Sequence, residues 1–156
     1  MAHVVRFAPS GSRRRIVVRS VLLPVDGSRS SDRAVRFLIS LYARLAPLDV
    51  RVLNVQPPNV LKDDESATVG SADLNSQATG KEALKSALAL LDDANIAYTS
   101  DVEDGFVAAT IVAYAKRHGC DSIIMGTRGM GSTAALLGSI TRQVIHLADV
   151  PVTIVK

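Results

Sequence analysis

A chain of 156 residues with 47% apolar side chains can bury one sizeable core, which excludes a wholly disordered protein. The net charge of +3 is unevenly spread: residues 1–19 carry five arginines and no acid, whereas residues 20–156 carry 13 basic against 15 acidic residues, a net of −2, which excludes a basic nucleic-acid-binding body. A single cysteine, Cys120, excludes an internal disulfide framework, and His3, His118 and His146 lack metal-ligand spacing.

Residues 1–19 are expected to form a flexible basic extension and residues 20–156 the folded domain. The first 15 residues lack the apolar segment of a secretory signal; a solvated tail is the reading preferred over an organelle transit peptide. Ser20 to Asp26 (SVLLPVD) reads as a buried strand ending in a turn at Gly27-Ser28. Ala34, Phe37, Leu38, Leu41 and Leu45 then recur at helical spacing, with Ser30 or Ser31 as N-cap and Pro47 as terminator. Asp49 to Gln56 (DVRVLNVQ) is the second strand, stopped by Pro57-Pro58.

Residues 59–76 are polar and irregular, a mobile lid or a disordered excursion, and a helix is expected from Gln77 to Asp93. Ile96 to Glu103 is a third strand. Val107, Ala108, Ile111, Val112 and Ala115 mark a third helix. Asp121 to Gly126 (DSIIMG) is a short buried strand. Ile140, Val144, Leu147 and Ala148 mark a fourth helix, and Val150 to Val155 a last strand. The apolar runs stop well short of a membrane span, so no membrane partner is expected.

Strictly alternating strands and helices predict an α/β fold: an open five-stranded parallel sheet, order 3-2-1-4-5, with helices on both faces. Ligands in such sheets bind at the carboxyl ends of the strands where the winding reverses, here Asp26 and Gly126. The last strand, Val150 to Val155, is an edge in this order, and an antiparallel match with its copy would make a homodimer.

The segment best suited to chemistry is Met125-Gly126-Thr127-Arg128-Gly129-Met130-Gly131-Ser132, leading to Gly138-Ser139-Ile140-Thr141. Glycines let backbone N–H groups approach an anion, and the helix beginning at Gly138-Ser139 offers free donors and a positive dipole end. The hydroxyls of Ser139 and Thr141 and the charge of Arg128 suit a phosphate. A valine at Gly126 is expected to block that approach and abolish binding. The competing reading is a plain Gly-rich turn with Ser139 as N-cap. Gly80-Lys81 is not a P-loop, because Glu82 stands where Ser or Thr is required, and Gly126, Gly129 and Gly131 do not follow the dinucleotide order. Asp26 is placed to accept hydrogen bonds from an adenine amine or a ribose hydroxyl, or simply to form an Asp-Gly-Ser turn. Cys120 reads as a small core residue. No triad or carboxylate pair appears, so no catalytic residue is assigned, and weak ATPase activity is the most that is expected.

The stretches LLPVDGS at 22–28, VLNVQPP at 52–58, DSIIMGTRGMGS at 121–132 and GSITRQVIHLADVPVTIVK at 138–156 resemble the universal stress protein family over roughly Ser20 to Lys156. The resemblance implies a Rossmann-like domain of the adenine nucleotide alpha hydrolase-like kind, cytoplasmic, usually dimeric and tied to stress survival. It implies ATP or AMP as ligand, with Mg²⁺ as companion ion. In the family's nucleotide-binding branch a glycine is followed by two residues, a second glycine, nine residues, and Gly-Ser or Gly-Thr. Gly126, Gly129 and Gly138-Ser139 match those positions. Pro24, Val25 and Asp26 match the turn that holds the adenosine, Val55 a contact with the base, and Met125 flanks the loop. Only eight residues, Met130 to Leu137, separate Gly129 from Gly138, which favours adenosine or AMP over the terminal phosphates of ATP. The alternative function is a dimeric interaction protein of the same fold that has lost the nucleotide.

Overall fold

A computed structural model describes residues 2–5, 19–45, 47–58, 69–128 and 137–156. Its elements in chain order are β1 (Ala2–Val5), β2 (Ser20–Pro24), α1 (Arg29–Leu45), β3 (Asp49–Gln56), α2 (Val69–Asp93), β4 (Tyr98–Asp104), α3 (Val107–Arg117), β5 (Ser122–Gly126), α4 (Ser139–Leu147) and β6 (Val152–Val155). The sheet runs β1-β6-β5-β2-β3-β4. The five strands β4-β3-β2-β5-β6 are mutually parallel and carry the expected 3-2-1-4-5 order.

One strand is additional. Ala2–Val5, within the stretch read as a flexible tail, pairs antiparallel with β6, Ala2 opposite Val155 and Val5 opposite Val152. The expected free edge at Val150 to Val155 is therefore covered. The helix after β3 also starts earlier than expected: Val69 to Ser76, read as irregular, is helical, and the rest of that excursion (59–68) lies outside the described residues.

Each central strand is apolar on both faces because helices cover both. Val21, Leu23 and Val25 of the β2 segment pack with Ala34 and Leu38 of α1 and Leu84 and Leu91 of α2. Leu22, Leu53, Ile123, Met125 and Ile154 face the other way, against Ala108, Ile111 and Tyr114 of α3 and Val144 of α4. This two-sided burial removes the alternation seen in half-exposed strands. Among the described residues no helix is long and apolar enough to cross a membrane.

The cap of α1 is Ser28, not Ser30 or Ser31: Ser28 Oγ accepts the Ser31 N–H at 3.2 Å, and Ser28 N–H in turn donates to Asp26 Oδ1 at 3.1 Å. Ser30 and Ser31 are instead buried, at 6% and 4% exposure.

Tyr114 is the largest fully buried side chain, and its hydroxyl donates to Asp101 of β4. Burial first, and then the Asp101 hydrogen bond, push its phenol from 10.0 up to about 12, with Arg51 opposing. The folded state thus holds this proton more tightly than the unfolded chain. That stabilisation is fully present below pH 10.0 and is lost as pH rises through about 12. Urea unfolding of Tyr114→Phe should therefore show a shallower loss of stability across that window than the parent chain. Equal slopes would remove Tyr114 as the source.

Candidate functional site

The carboxyl ends of β2 and β5, adjacent at the point where the winding reverses, open onto a cavity of about 1030 Å³. Its walls are largely apolar. Pro24 and Val25 come from the end of β2, Leu53 and Val55 from β3, Val107 and Ile111 from α3, Met125 from β5 and Ile140 from α4. Polar groups are fewer: Asp26, Ser31, Asn54, Gln56, Thr79, Glu82, Arg128 and Thr141.

Of the residues singled out in the sequence, Pro24, Val25, Asp26, Val55, Met125, Gly126, Arg128, Ile140 and Thr141 line this cavity. Thr127, Gly138 and Ser139 are not among its walls, and Gly129 lies outside the described residues. The sequence reading missed the contribution of α2, whose Ala78, Thr79, Glu82 and Ala83 close one side. Gly27 makes that approach feasible. Its φ of +77° turns the chain out of β2, and a Cβ there would lie 3.3 Å from the Ala83 Cα.

Asn54 was also missed, although a buried amide in the apolar run of β3 is a legible signal. Only 2% exposed, it donates through Nδ2 to the Val25 carbonyl at 2.8 Å and accepts from Gln56 Nε2 at 2.6 Å. Val25 N–H itself donates to Leu53 O at 2.9 Å. Both peptide groups of Val25 are thus engaged, and what it offers a ligand is its apolar surface.

Of the Gly-rich segment, residues 125–128 and 138–141 are described, and several of their polar groups are engaged within the protein. Thr127 N–H donates to Val155 O at 3.1 Å, Arg128 N–H to Ser30 Oγ at 3.3 Å, and Gly138 N–H to Thr127 O at 2.8 Å. Thr141, expected to reach a phosphate, donates its hydroxyl to Gly126 O at 3.2 Å and fastens α4 to the end of β5. Gly126 is required for packing. A Cβ there would lie 2.6 Å from Ser30 O and closer still to Ser30 Oγ. A valine at Gly126 is therefore blocked by α1 whether or not a ligand binds, and the expected loss of binding does not by itself report on phosphate.

Among the described residues, two further donor groups lie in this region. The first-turn amides of α4, at Ser139, Ile140 and Thr141, precede the first helical bond, Arg142 N–H to Gly138 O at 3.0 Å, and so lack an i−4 partner within the helix. Arg128 is the other: its Nε is buried and has no hydrogen-bond partner among the described residues. A buried, unpaired guanidinium N–H is costly, and an anion is its natural complement. The acids come from other elements: Asp26 follows the end of β2, and Glu82 on α2 is paired with Lys85. The cavity therefore combines a largely apolar lining with a cation, Arg128, after β5, the first-turn amides of α4, and two acids, Asp26 and Glu82.

The model of the universal stress protein family matches residues 18–156. The chain is 30% identical over 141 residues to a universal stress protein of Methanocaldococcus jannaschii, covering 88% of this chain and 82% of that one. Among solved structures it resembles a hypothetical protein, MJ0577, with TM-score 0.74, 25% identity and coverage of 90% of this chain and 96% of that one. A universal stress protein in complex with cAMP superposes with TM-score 0.68 at 20% identity, covering 90% and 98% of the two chains. One from Archaeoglobus fulgidus in complex with dAMP gives 0.65 at 21%, covering 89% and 98%.

Proposed function

Because the chain belongs to the universal stress protein family, we propose that it is a cytoplasmic regulatory protein of the stress response that binds an adenine mononucleotide in the β2–β5 cavity. The observation that carries this reading is the largely apolar cavity at the carboxyl ends of β2 and β5, whose lining includes Asp26, Arg128 and the first-turn residues Ile140 and Thr141 of α4. An adenine nucleotide has the matching polarity: a flat apolar base, a ribose with hydroxyl donors, and an anion at one end.

In this reading the base lies against Val25, Val55 and Val107. The ribose hydroxyls face Asp26, and the phosphate meets Arg128 and the first turn of α4. The two nucleotide-bound relatives hold monophosphates, cAMP and dAMP, which is consistent with one phosphate being the recognised group. Among the described residues, the amides of Thr127, Arg128 and Gly138 are already engaged. ATP is the weaker candidate. It would bring Mg²⁺ on its own phosphates, as no group of three or more His, Cys, Asp or Glu among the described residues is placed to hold an ion. Two copies pairing through Val150 to Val155 belongs to the same reading, and it requires that β1 leave the edge of β6.

Calorimetric titration with AMP, ADP, ATP plus Mg²⁺ and adenosine tests the proposal. AMP should bind more tightly than adenosine and at least as tightly as ATP. Tighter binding of ATP would overturn the monophosphate assignment. Absence of heat with all four at millimolar concentration would overturn nucleotide binding and leave the interaction-protein function.

A further inference from the structure

We propose that Gln56 selects the base of the nucleotide: its amide, locked by Asn54, holds Oε1 as a fixed acceptor that suits a 6-amino purine and opposes a 6-oxo purine. This inference rests on the adenine-nucleotide reading above. The lock starts at a backbone carbonyl. Val25 O can only accept, so the Asn54 atom 2.8 Å from it is Nδ2. Asn54 Oδ1 is then the atom that meets Gln56. It too can only accept, so the Gln56 atom 2.6 Å away is Nε2. One carbonyl thus fixes the orientation of two side-chain amides. Gln56 Oε1 is left as an acceptor with no bond from the described residues.

The lock has little room to turn. Asn54 is buried, and Gly80 of α2 packs on it so closely that an added Cβ would lie 3.0 Å from Asn54 Oδ1. Gln56 is the last residue of β3, and its carbonyl accepts the Gly105 N–H at 2.9 Å. Turning the Gln56 amide over would set Oε1 against Asn54 Oδ1. Turning both amides would set Asn54 Oδ1 against Val25 O. Either way two oxygens face one another with no proton between them, and a hydrogen bond is lost.

The ligand chemistry follows from that fixed polarity. Gln56 lines the cavity beside Val55, which is assigned to the base. A 6-amino purine donates from its exocyclic nitrogen and accepts at the adjacent ring nitrogen. An amide can match both, with Oε1 taking the amine and the second Nε2 hydrogen left for the ring nitrogen. A 6-oxo purine presents an oxygen where Oε1 needs a hydrogen. Pro57, the next residue in the lining, has no N–H to offer that oxygen. The acids of the lining have other partners: Asp26 is assigned to the ribose, and Glu82 is paired with Lys85.

Calorimetric titration of the full chain with AMP and with IMP provides the test, because the two share ribose and phosphate and differ at the 6-position edge. The parent should bind AMP about tenfold or more tightly than IMP, the scale of one hydrogen bond exchanged for an unpaired acceptor. Gln56→Met keeps the length of the side chain and removes the acceptor, and it should bring the two affinities within about threefold of each other. Asn54→Leu frees the Gln56 amide to turn, so IMP binding should improve about threefold or more while AMP binding falls no further than that. A gain for IMP cannot come from a damaged site, and thermal melts establish that each variant is folded. If Asn54→Leu does not fold, the comparison of the parent with Gln56→Met decides. AMP that binds with no preference over IMP, a Gln56→Met protein that keeps the full preference, or a folded Asn54→Leu protein with no gain for IMP would each overturn this inference alone. No binding of either nucleotide would overturn the nucleotide reading and this inference with it.

Discussion

Arg128→Met should weaken AMP binding about ten- to hundredfold, the range that follows from losing charge-assisted hydrogen bonds of about 1.5–3 kcal/mol, while adenosine binding stays within about twofold. The contrast follows from where the residue sits. Arg128 lines the cavity just after β5, whereas the base is assigned to Val25, Val55 and Val107. Methionine keeps much of the side-chain volume and removes the donors. The ligand-free protein should lose no thermal stability, because the Nε being removed is already buried without a partner among the described residues. A purely structural arginine behaves differently: its loss would lower the melting temperature and affect AMP and adenosine alike. Calorimetry with both ligands and a thermal melt of the free protein distinguish the two.

Gly126→Ala should destabilise the fold by about 3 kcal/mol, a melting-temperature drop of roughly 6–12 °C for a domain of this size. The added Cβ meets the Ser30 carbonyl oxygen at 2.6 Å and the Ser30 carbonyl carbon at 2.7 Å. Both are backbone atoms in the first turn of α1, so no rotamer change relieves the contact. Ser30→Ala in the same chain should recover only part of the loss, since it removes Oγ and leaves the carbonyl. The substitution also shifts the site, because Ser30 Oγ accepts the Arg128 backbone N–H. Thermal melts of the two single variants and the double variant measure this directly. A Gly126→Ala protein as stable as its parent would mean that α1 does not press on the end of β5.

The alternation of elements was readable because strands covered on both faces become short, continuous apolar runs. SVLLP is the clearest: every residue of β2 is buried. The helical faces of α1, α3 and α4 stand out for the same reason, each burying one stripe. The first two turns of α2 were not readable. VGSADLNS carries no apolar period, and its polar residues resemble a loop. That mistake hid the wall formed by Ala78, Thr79, Glu82 and Ala83.

β1 was hidden by its setting. Four residues ahead of an arginine-rich stretch give too little pattern, and their partner β6 lies about 150 residues away. That Ser28, read as part of the turn, caps α1 in place of Ser30 or Ser31 was likewise beyond local reading. All three are good capping residues, and the close packing of Ser30 on Gly126 is a tertiary fact. Asp26 and Gly126 were brought to one cavity by topology alone, and that placement holds. Gly126 accommodates a helix, and the amides of Thr127, Arg128 and Gly138 are engaged by the protein itself, while Gly129 and Gly131 lie outside the described residues.

The most direct test of nucleotide binding in the β2–β5 cavity is an amide chemical-shift map of the isotope-labelled full chain with and without saturating AMP. The largest shifts should fall on Val25, Asn54, Arg128 and Ile140, with β1 and β6 unmoved. Saturating AMP that leaves those four amides in place, or moves only residues elsewhere, would contradict it.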